Sequence, residues 1–232
     1  MKERPILFSG PMVRAILSGV KTQTRRVIKP QPVQYNRPDW PCTHGWREVP
    51  QMGGWEISWN NDSMTATEAI GEYCPYGKTG DQLWVRETWR VNGNAHDYAR
   101  AGKESVFYRA DEDWNVDAGW RPSIFMPRWA SRITLEVVSV RVQRLQGITS
   151  EDAQAEGIEV DICDNAIVTR DYSRKEKWFQ MWSDDLPNYV DIEQIAQASY
   201  RSLWDHINGK REGCAWQDNP WVWAVEFRAV QP

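Results

Sequence analysis

The sequence predicts an α+β fold that is mainly β, built as a small β-barrel with short flanking helices and two irregular insertions. Three observations predict it: short apolar or alternating segments outnumber helical patterns, most helical patterns are short, and no internal repeat interrupts them. The two insertions, at about 30–79 and 159–190, are rich in turn-forming or polar residues and have weak periodicity. The 232 residues are therefore predicted to form a single domain, 1–232.

The N-terminal part predicts a strand, a helix and a second strand. Residues 5–8 are a short apolar run, which is typical of a buried strand. Pro11 suits the first turn of a helix, and Gly19 is a natural helix end. The chain then turns at about Val20 and enters a strand that ends before Pro30.

Alternation predicts the central strands. Residues 83–87 alternate, and Glu87 falls in the apolar row, where a carboxylate is unfavourable unless it is paired. Residues 105–109 are a shorter candidate strand. Residues 131–145 alternate with a change of phase that moves Val138 into the apolar row, as happens at a β-bulge.

The C-terminal half predicts two helices and a closing strand. Residues 148–157 form a short helix with Thr149 or Ser150 as its N-cap and acids in its first turn. Residues 191–208 carry one apolar stripe, which indicates a longer amphipathic helix. Residues 221–227 are predicted to be the last strand.

Composition and charge narrow the class of protein. The fifteen Trp residues suit both a loop-rich core and stacking on bases, and composition does not separate these two roles. The net charge of −4 argues against a non-specific binder of duplex nucleic acid, although basic residues concentrate near the N-terminus and could form a local anion-binding face. Because the sequence has neither a long apolar run nor an apolar leader, we expect a cytoplasmic protein without a membrane partner.

Several common catalytic sites have no support in the sequence. Cys42, His44 and Cys74 could supply three zinc ligands, but no fourth ligand lies at a standard spacing, so we expect no metal and no cofactor. The three histidines do not fit a Ser-His-Asp order, and the glycine-rich phosphate-binding motifs are absent from the sequence.

Lys21 and Thr24 are the remaining candidates for chemistry. A lysine can activate a threonine hydroxyl where burial or neighbouring cations lower the pKa of the lysine, and Arg25 and Arg26 supply such cations. Residues three apart on a strand face opposite sides, so Lys21 must lie in the turn before the strand if the two side chains are to meet. On spacing alone, a solvated lysine and an ordinary strand threonine remain the alternative.

Longer motifs resemble a known family. Residues 8–26, with a short helix followed by Gly-x-Lys-Thr-x-Thr and Arg, resemble the opening of an ASCH domain. Residues 80–87 resemble the family's Gly-Asp-x-Leu-x-Val strand, residues 148–157 its acidic helix, and residues 223–227 its last strand. With residues 126–129 included, the pattern is similar to ASCH-domain proteins encoded by phages and prophages, and the two insertions fall outside it.

The resemblance implies a PUA-like β-barrel and an activity. Small bacterial ASCH proteins are amidohydrolases that deacetylate N4-acetylcytidine, and the matching positions here are Lys21, Thr24 and Glu156. Glu156 is assigned by the pattern of Ile148, Thr149 and Ala153 that precedes it. The expected partner is a modified nucleoside or RNA, with no obligate protein partner.

This interpretation gives each residue a hypothetical role. Thr24 attacks the acyl carbonyl, Lys21 takes its proton, and Glu156 positions Lys21 or passes a proton to the leaving amine. Arg26 or a backbone N–H near the turn stabilises the oxyanion. Trp84 or Trp129 stacks on the cytosine, and Glu87 accepts a hydrogen bond from N4 or from a ribose hydroxyl. The candidates for these substrate contacts are Arg25, Arg26, Trp84, Glu87, Arg128 and Trp129.

Two alternatives stay open. In the first, the chain is a non-catalytic RNA-binding module in which Lys21, Arg25, Arg26 and Arg128 contact phosphates and tryptophans stack bases. In the second, it is a ribonuclease, because a lysine and an acid could also serve attack by a 2′-hydroxyl.

Overall fold

The computed structural model describes residues 1–34, 44–49, 54–59, 62–65, 73–91, 105–111, 119–163, 166–173, 177–182 and 192–230. The chain divides into two compact units. The first unit comprises Met1–Thr22, Pro75–Ser139 and Glu226–Pro232. The second unit comprises Gln23–Cys74 and Val140–Val225.

Strands dominate the described residues, with three α-helices among them. The strands are β1 Glu3–Leu7, β2 Gln23–Val27, β3 Val33–Gln34, β4 His44–Val49, β5 Gly54–Trp59, β6 Asp62–Thr65, β7 Gln82–Arg86, β8 Trp89–Val91, β9 Val106–Tyr108, β10 Thr134–Arg144, β11 Val160–Cys163, β12 Ala166–Asp171, β13 Lys177–Trp182 and β14 Trp221–Val230. The helices are α1 Gly10–Leu17, α2 Ser150–Ala155 and α3 Ile192–Asn208. The prediction of a mainly β, α+β protein is confirmed.

The strands form four sheets. The largest has the order β1-β7-β10-β14-β2, and the others have the orders β3-β4-β5-β6, β11-β12-β13 and β8-β9. Because β1 and β2 are the edges of the largest sheet, the described strands do not close into the barrel that the sequence led us to expect.

The second insertion is not irregular where the structure describes it, so that part of the prediction is wrong, whereas the first, for which the sequence left a small hairpin among loops open, holds paired strands. The first holds the sheet of β3 to β6, and the second holds the antiparallel sheet of β11 to β13. In the second insertion Ile167 is 2% exposed and Thr169 is fully buried. Cross-strand pairing and burial of this kind stabilise a strand whose own hydropathy pattern is weak.

The core of the first unit forms where β7 lies between two neighbours. β1 runs parallel to β7 with Ile6 opposite Val85, and β10 runs antiparallel to it with Leu135 opposite Leu83. These four side chains are at most 1% exposed. The alternation that predicted β7 therefore reports its buried face correctly.

The core of the second unit is built around α3 and the start of β14. Tyr200 and Trp204 are buried on the apolar stripe of the helix, and Trp221 and Trp223 are buried on the strand. Trp204 donates its indole N–H to the backbone carbonyl of Cys214 at 2.8 Å. These four large rings therefore serve the core, as aromatic side chains commonly do.

The predicted helix ends agree with the structure, whereas one strand detail does not. Thr149 is the N-cap of α2, and its hydroxyl accepts from the backbone N–H of Asp152 at 3.2 Å. In β10 Val137 is buried and Val138 is 45% exposed, so the structure does not place Val138 in the apolar row to which the predicted change of phase assigned it. None of the helices in the described part of the chain combines the length and the apolar character that a membrane span requires.

Candidate functional site

Lys21 lies in the turn between α1 and β2, as predicted. Its backbone N–H donates to the carbonyl of Ala15 at 2.9 Å, which ties the turn to the end of the helix. Gly19 makes the turn possible with a φ of +78°, a conformation that glycine adopts without steric cost. The Lys21 side chain is only 3% exposed, and its Nζ lies 5.7 Å from the ring centroid of Phe8.

The beginning of β2 is buried on both faces. Gln23, Thr24 and Arg25 are consecutive, and they are 2%, 4% and 4% exposed. Side chains alternate along a strand, so Gln23 and Arg25 share one face and Thr24 projects from the other. The half-buried Arg26 follows on the face of Thr24.

Arg25 is the centre of a buried network of polar side chains. Its guanidinium donates to Asp152 through Nη2 at 2.5 Å and to Glu156 through Nη1 at 3.3 Å. Nη1 also donates to Gln23 Oε1 at 2.5 Å. When the amide of Gln143 is oriented with its oxygen toward Arg25, that oxygen accepts from Nε at 3.0 Å and from Nη2 at 2.8 Å. These partners satisfy a guanidinium that has no solvent exposure at all, which is the condition for burying a charge.

Helix α2 supplies the two acids of this network from successive turns. Asp152 lies in the first turn and Glu156 caps the last, four residues later, so both face β2. The pKa of the Asp152 carboxyl is lowered: burial alone would raise it, but the charge of Arg25, the hydrogen bond from Gln23 and the charge of Arg141 outweigh burial. Asp152 is therefore held in its charged form.

Glu156 is also in contact with α3. The Tyr200 hydroxyl donates to Glu156 Oε1 at 3.5 Å, the same oxygen that accepts from Arg25. Burial first, and then the charge of Glu156, raise the pKa of the Tyr200 phenol well above its ordinary value of 10. Tyr200 therefore remains a neutral donor to this carboxylate throughout the physiological range.

Three of the predicted substrate contacts lie in the first unit, each against a neighbour. The ring of Trp84 lies 5.5 Å from the guanidinium of Arg86. Trp129 is 37% exposed and packs edge-to-face on Trp89, with the two ring centroids 6.0 Å apart. On the surface, Arg128 donates to Glu3 through Nε at 2.9 Å and through Nη2 at 3.1 Å.

Glu87, the fourth of these contacts, has the partner that its position in an apolar row requires. It is 1% exposed, and its two oxygens accept from Arg132 at 2.9 and 3.0 Å. Arg132 also donates to both oxygens of Asp111 and lies 4.0 Å from the ring centroid of Tyr108. Burial, which outweighs the contribution of Arg132, raises the pKa of the Glu87 carboxyl.

The predicted site residues are distributed over both units. Thr24, Arg25, Arg26 and Glu156 belong to the second unit, and Lys21, Trp84, Glu87, Arg128 and Trp129 belong to the first. The structure brings Arg25 and Glu156 together, and it places Arg25 inside an internal ion-pair network instead of on a substrate-facing surface.

Sequence reasoning missed three partners that the structure supplies. They are Arg132, Asp152 and Tyr200. The unfavourable position of Glu87 indicated that a cation was needed, but not that it lay 45 residues away. The spacing of Asp152 and Glu156 on one helix face was visible in the sequence, although nothing there identified Arg25 as their common partner.

The residues weighed as zinc ligands are only partly described. Cys42 lies outside the described residues, and the side chain of His44 is not described. Cys74 is buried, as is Cys214. Among the residues that the structure describes, no group of three or more His, Cys, Asp or Glu side chains could hold a metal ion.

Comparisons with protein-family models, with curated proteins and with solved structures give no significant match to this chain.

Proposed function

We propose that this protein is an amidohydrolase that removes the acyl group from an N4-acylated cytidine or a related modified nucleoside, using Lys21, Thr24 and Glu156. The ASCH-like motifs suggest the reaction, together with a PUA-like origin for the fold. The observation that carries the proposal is burial: these three polar side chains are 3%, 4% and 4% exposed. Lysine and glutamate are seldom buried so completely without a structural or chemical role.

In the proposed reaction the Thr24 hydroxyl attacks the acyl carbonyl while Lys21 accepts its proton. The C–N bond then breaks, and the N4 amine takes the proton that Lys21 accepted, either directly or passed on through Glu156, and leaves as cytidine. Water hydrolyses the acyl-threonine ester, which releases the carboxylic acid and restores the threonine.

The buried network supports a fixed position for Glu156. Arg25 and Tyr200 both bind its Oε1 atom, so the orientation of the carboxylate is set from two elements, β2 and α3. A carboxylate that is held in this way offers a fixed geometry for proton transfer, which is how positioned groups contribute to catalysis.

The alternative of a module that only binds phosphates has less support. Arg25 is enclosed and satisfied by side chains of its own unit, and Arg128 forms a bidentate pair with Glu3. A phosphate would have to displace these carboxylates.

The test is hydrolysis of N4-acetylcytidine and of longer N4-acyl cytidines, followed by chromatographic release of cytidine. We expect turnover by the wild type, a loss of about 10³-fold or more in kcat/KM for Lys21→Ala and Thr24→Val, and partial retention for Thr24→Ser. Thr22→Val and Lys29→Ala are matched controls, because both residues are exposed in the same segment, and they should keep full activity. No turnover on any acyl cytidine, or equal loss in the controls, would overturn the proposal.

A further inference from the structure

The turn Ser123–Phe125 in the first unit presents two large apolar side chains to solvent. Ile124 is 57% exposed and Phe125 is 68% exposed. The next residue, Met126, is 1% exposed and belongs to a buried hydrophobic cluster of the same unit. The inward position is therefore filled by Met126, and the two side chains before it remain at the surface.

The turn is held in a fixed conformation. The Phe125 backbone N–H donates to the carbonyl of Pro122 at 3.0 Å, and the guanidinium of Arg86 donates to the carbonyl of Ile124. The ring of Pro122 fixes its own φ, which restricts the backbone at the start of the turn. Apolar side chains on a restrained backbone lose little conformational entropy on binding, so their burial contributes directly to affinity. The turn is therefore suited to contact a partner.

The outer face of β1 continues this surface. Leu7 is exposed and lies opposite Arg86, the residue that binds the turn. Side chains alternate along a strand, so Glu3 lies on the same face of β1 as Leu7, and Glu3 accepts from Arg128. Trp129, the residue after Arg128, is also exposed. We call these four exposed side chains, Leu7, Ile124, Phe125 and Trp129, the apolar patch, and the Glu3–Arg128 ion pair lies beside it.

The size of the apolar patch indicates an interaction surface. At their exposures the four side chains present a few hundred Å² of apolar area, which is the size at which exposed patches mark interaction sites. An interface of standard size buries about 800 Å² per partner. The patch therefore fits the apolar centre of a small, weak interface. Pro5, in the same edge strand, lacks a backbone N–H, so side chains make the contact and strand addition does not.

The charges beside the apolar patch point to a second copy of this chain. A two-fold interface places a surface against its own copy, so each acid must meet a base across the axis. The Glu3–Arg128 pair carries one of each and is exposed, so two copies can exchange partners and leave both charges compensated. We infer that the apolar patch is the interface of a weak homodimer in which Arg128 of each copy pairs with Glu3 of the other. The inference depends only on the first unit and not on the proposed hydrolysis.

The first test is sedimentation velocity of the full chain between about 1 and 300 μM, the range in which a small interface forms and dissociates. We expect a monomer at the low end and a dimer at the high end. Ile124→Ser should raise Kd about tenfold, because the side chains at the centre of an interface carry most of the binding energy. Ile207→Ser is the matched control, since Ile207 is 52% exposed on α3, outside the patch, and it should change Kd less than about twofold.

Charge reversal tests the pairing across the axis. Glu3→Arg makes both members of the pair positive and Arg128→Glu makes both negative, so each variant alone should remain a monomer at about 300 μM. An equimolar mixture of the two should form a heterodimer. Glu136→Arg and Arg228→Glu are the matched controls, because they reverse the charges of another surface ion pair of the same unit. Each control should dimerise as the wild type does.

Near-ultraviolet circular dichroism checks that each variant is folded. The inference would be overturned by a wild type that stays monomeric over the whole range, or by equal effects of Ile124→Ser and Ile207→Ser. Dimerisation of Glu3→Arg and of Arg128→Glu with the affinity of the wild type would also overturn it, as would the absence of a heterodimer in their mixture.

Discussion

Arg25 and Arg132 each bind a pair of carboxylates, but the arginine is the most buried member of the first network and a carboxylate is the most buried member of the second. In the second unit Arg25 has no exposed side-chain surface, and its partners Asp152 and Glu156 are 16% and 6% exposed. In the network of the first unit, Glu87 is the most buried member. Arg132 is 24% exposed and connects Glu87 to Asp111, which is exposed. One network encloses its cation, and the other connects a buried anion to the surface.

The difference shows how burial and pairing compete. Asp152 has a lowered pKa because Arg25 and its other donors outweigh burial, whereas Glu87 has a raised pKa because burial outweighs Arg132. The direction of the pKa shift therefore depends on how deeply the acid itself is buried: pairing outweighs burial for Asp152, which is 16% exposed, and burial outweighs pairing for Glu87, which is 1% exposed.

Removing the cation from the enclosed network should have the largest effect. Arg25→Met leaves Glu156 and Asp152 without their main partner where little solvent reaches them, and we expect a loss of about 3–5 kcal/mol in the free energy of unfolding. Urea denaturation measures it. Arg141→Met is the control, because Arg141 also contacts Asp152 but is 46% exposed, and it should lose less than about 1 kcal/mol. Similar losses in both variants would contradict the contrast between the two networks.

The matching change in the half-open network should be smaller and dependent on pH. Arg132→Met leaves Glu87 unpaired, and we expect a loss of about 2–3 kcal/mol near pH 8. Because burial already raises the pKa of Glu87, the unpaired carboxyl takes up a proton as the pH falls, and the loss should shrink toward about 1 kcal/mol near pH 5. Denaturation at the two pH values tests this, and a loss that does not change with pH would show that Glu87 stays charged.

Substitution of an acid should also destabilise the protein more in the network of Arg25 than in that of Arg132. Asp152→Asn should lower the free energy of unfolding by about 2 kcal/mol at neutral pH, against about 0.5 kcal/mol for Asp111→Asn, whose side chain is 48% exposed. The pKa of Asp152 is lowered on folding, so its contribution is complete above the ordinary value of 3.8 and is lost as the pH falls through the lower pKa of the folded protein. Acid titration of stability should therefore bring Asp152→Asn and the wild type together at low pH. If the difference in unfolding free energy between Asp152→Asn and the wild type does not change at low pH, the pKa of Asp152 is not lowered on folding.

The smallest effect concerns the phenol beside Glu156. Tyr200→Phe removes a long hydrogen bond of 3.5 Å and should cost less than about 1 kcal/mol at pH 7. The pKa of Tyr200 is raised on folding, so its contribution is complete below pH 10 and is lost as the pH rises further. Above about pH 10 the melting temperature should therefore fall less steeply for Tyr200→Phe than for the wild type. Tyr172→Phe, at a half-buried phenol with a raised pKa, should show the same sign and a smaller change.

Local signals predicted much of this structure, and packing partners account for what they missed. The Pro11 and Gly19 limits of α1 and the Thr149 cap of α2 are set by adjacent residues, and the structure confirms them. The sheet of β11 to β13 joins strands that are neighbours in the sequence, but their hydropathy pattern is weak, and only the cross-strand pairs and the burial of Ile167 and Thr169 show that strands form there. Arg25 shows the same limit at the candidate site: a cation in a basic stretch favours a solvated position, and only the acids brought by α2, more than a hundred residues later, allow its burial.

The number of residues in the connection between α1 and β2 determines where Lys21 lies. The backbone N–H of Lys21 donates to the carbonyl of Ala15, and β2 begins two residues after Lys21. These two anchors fix the position of Lys21, from which its ammonium group lies over the ring of Phe8. Substitutions at exposed positions such as Ser18 or Val20 preserve that length. An insertion or a deletion of a single residue would shift Lys21 relative to α1, so that its side chain would no longer point toward Phe8. A library that varies this segment should therefore tolerate changes of residue type far better than changes of length.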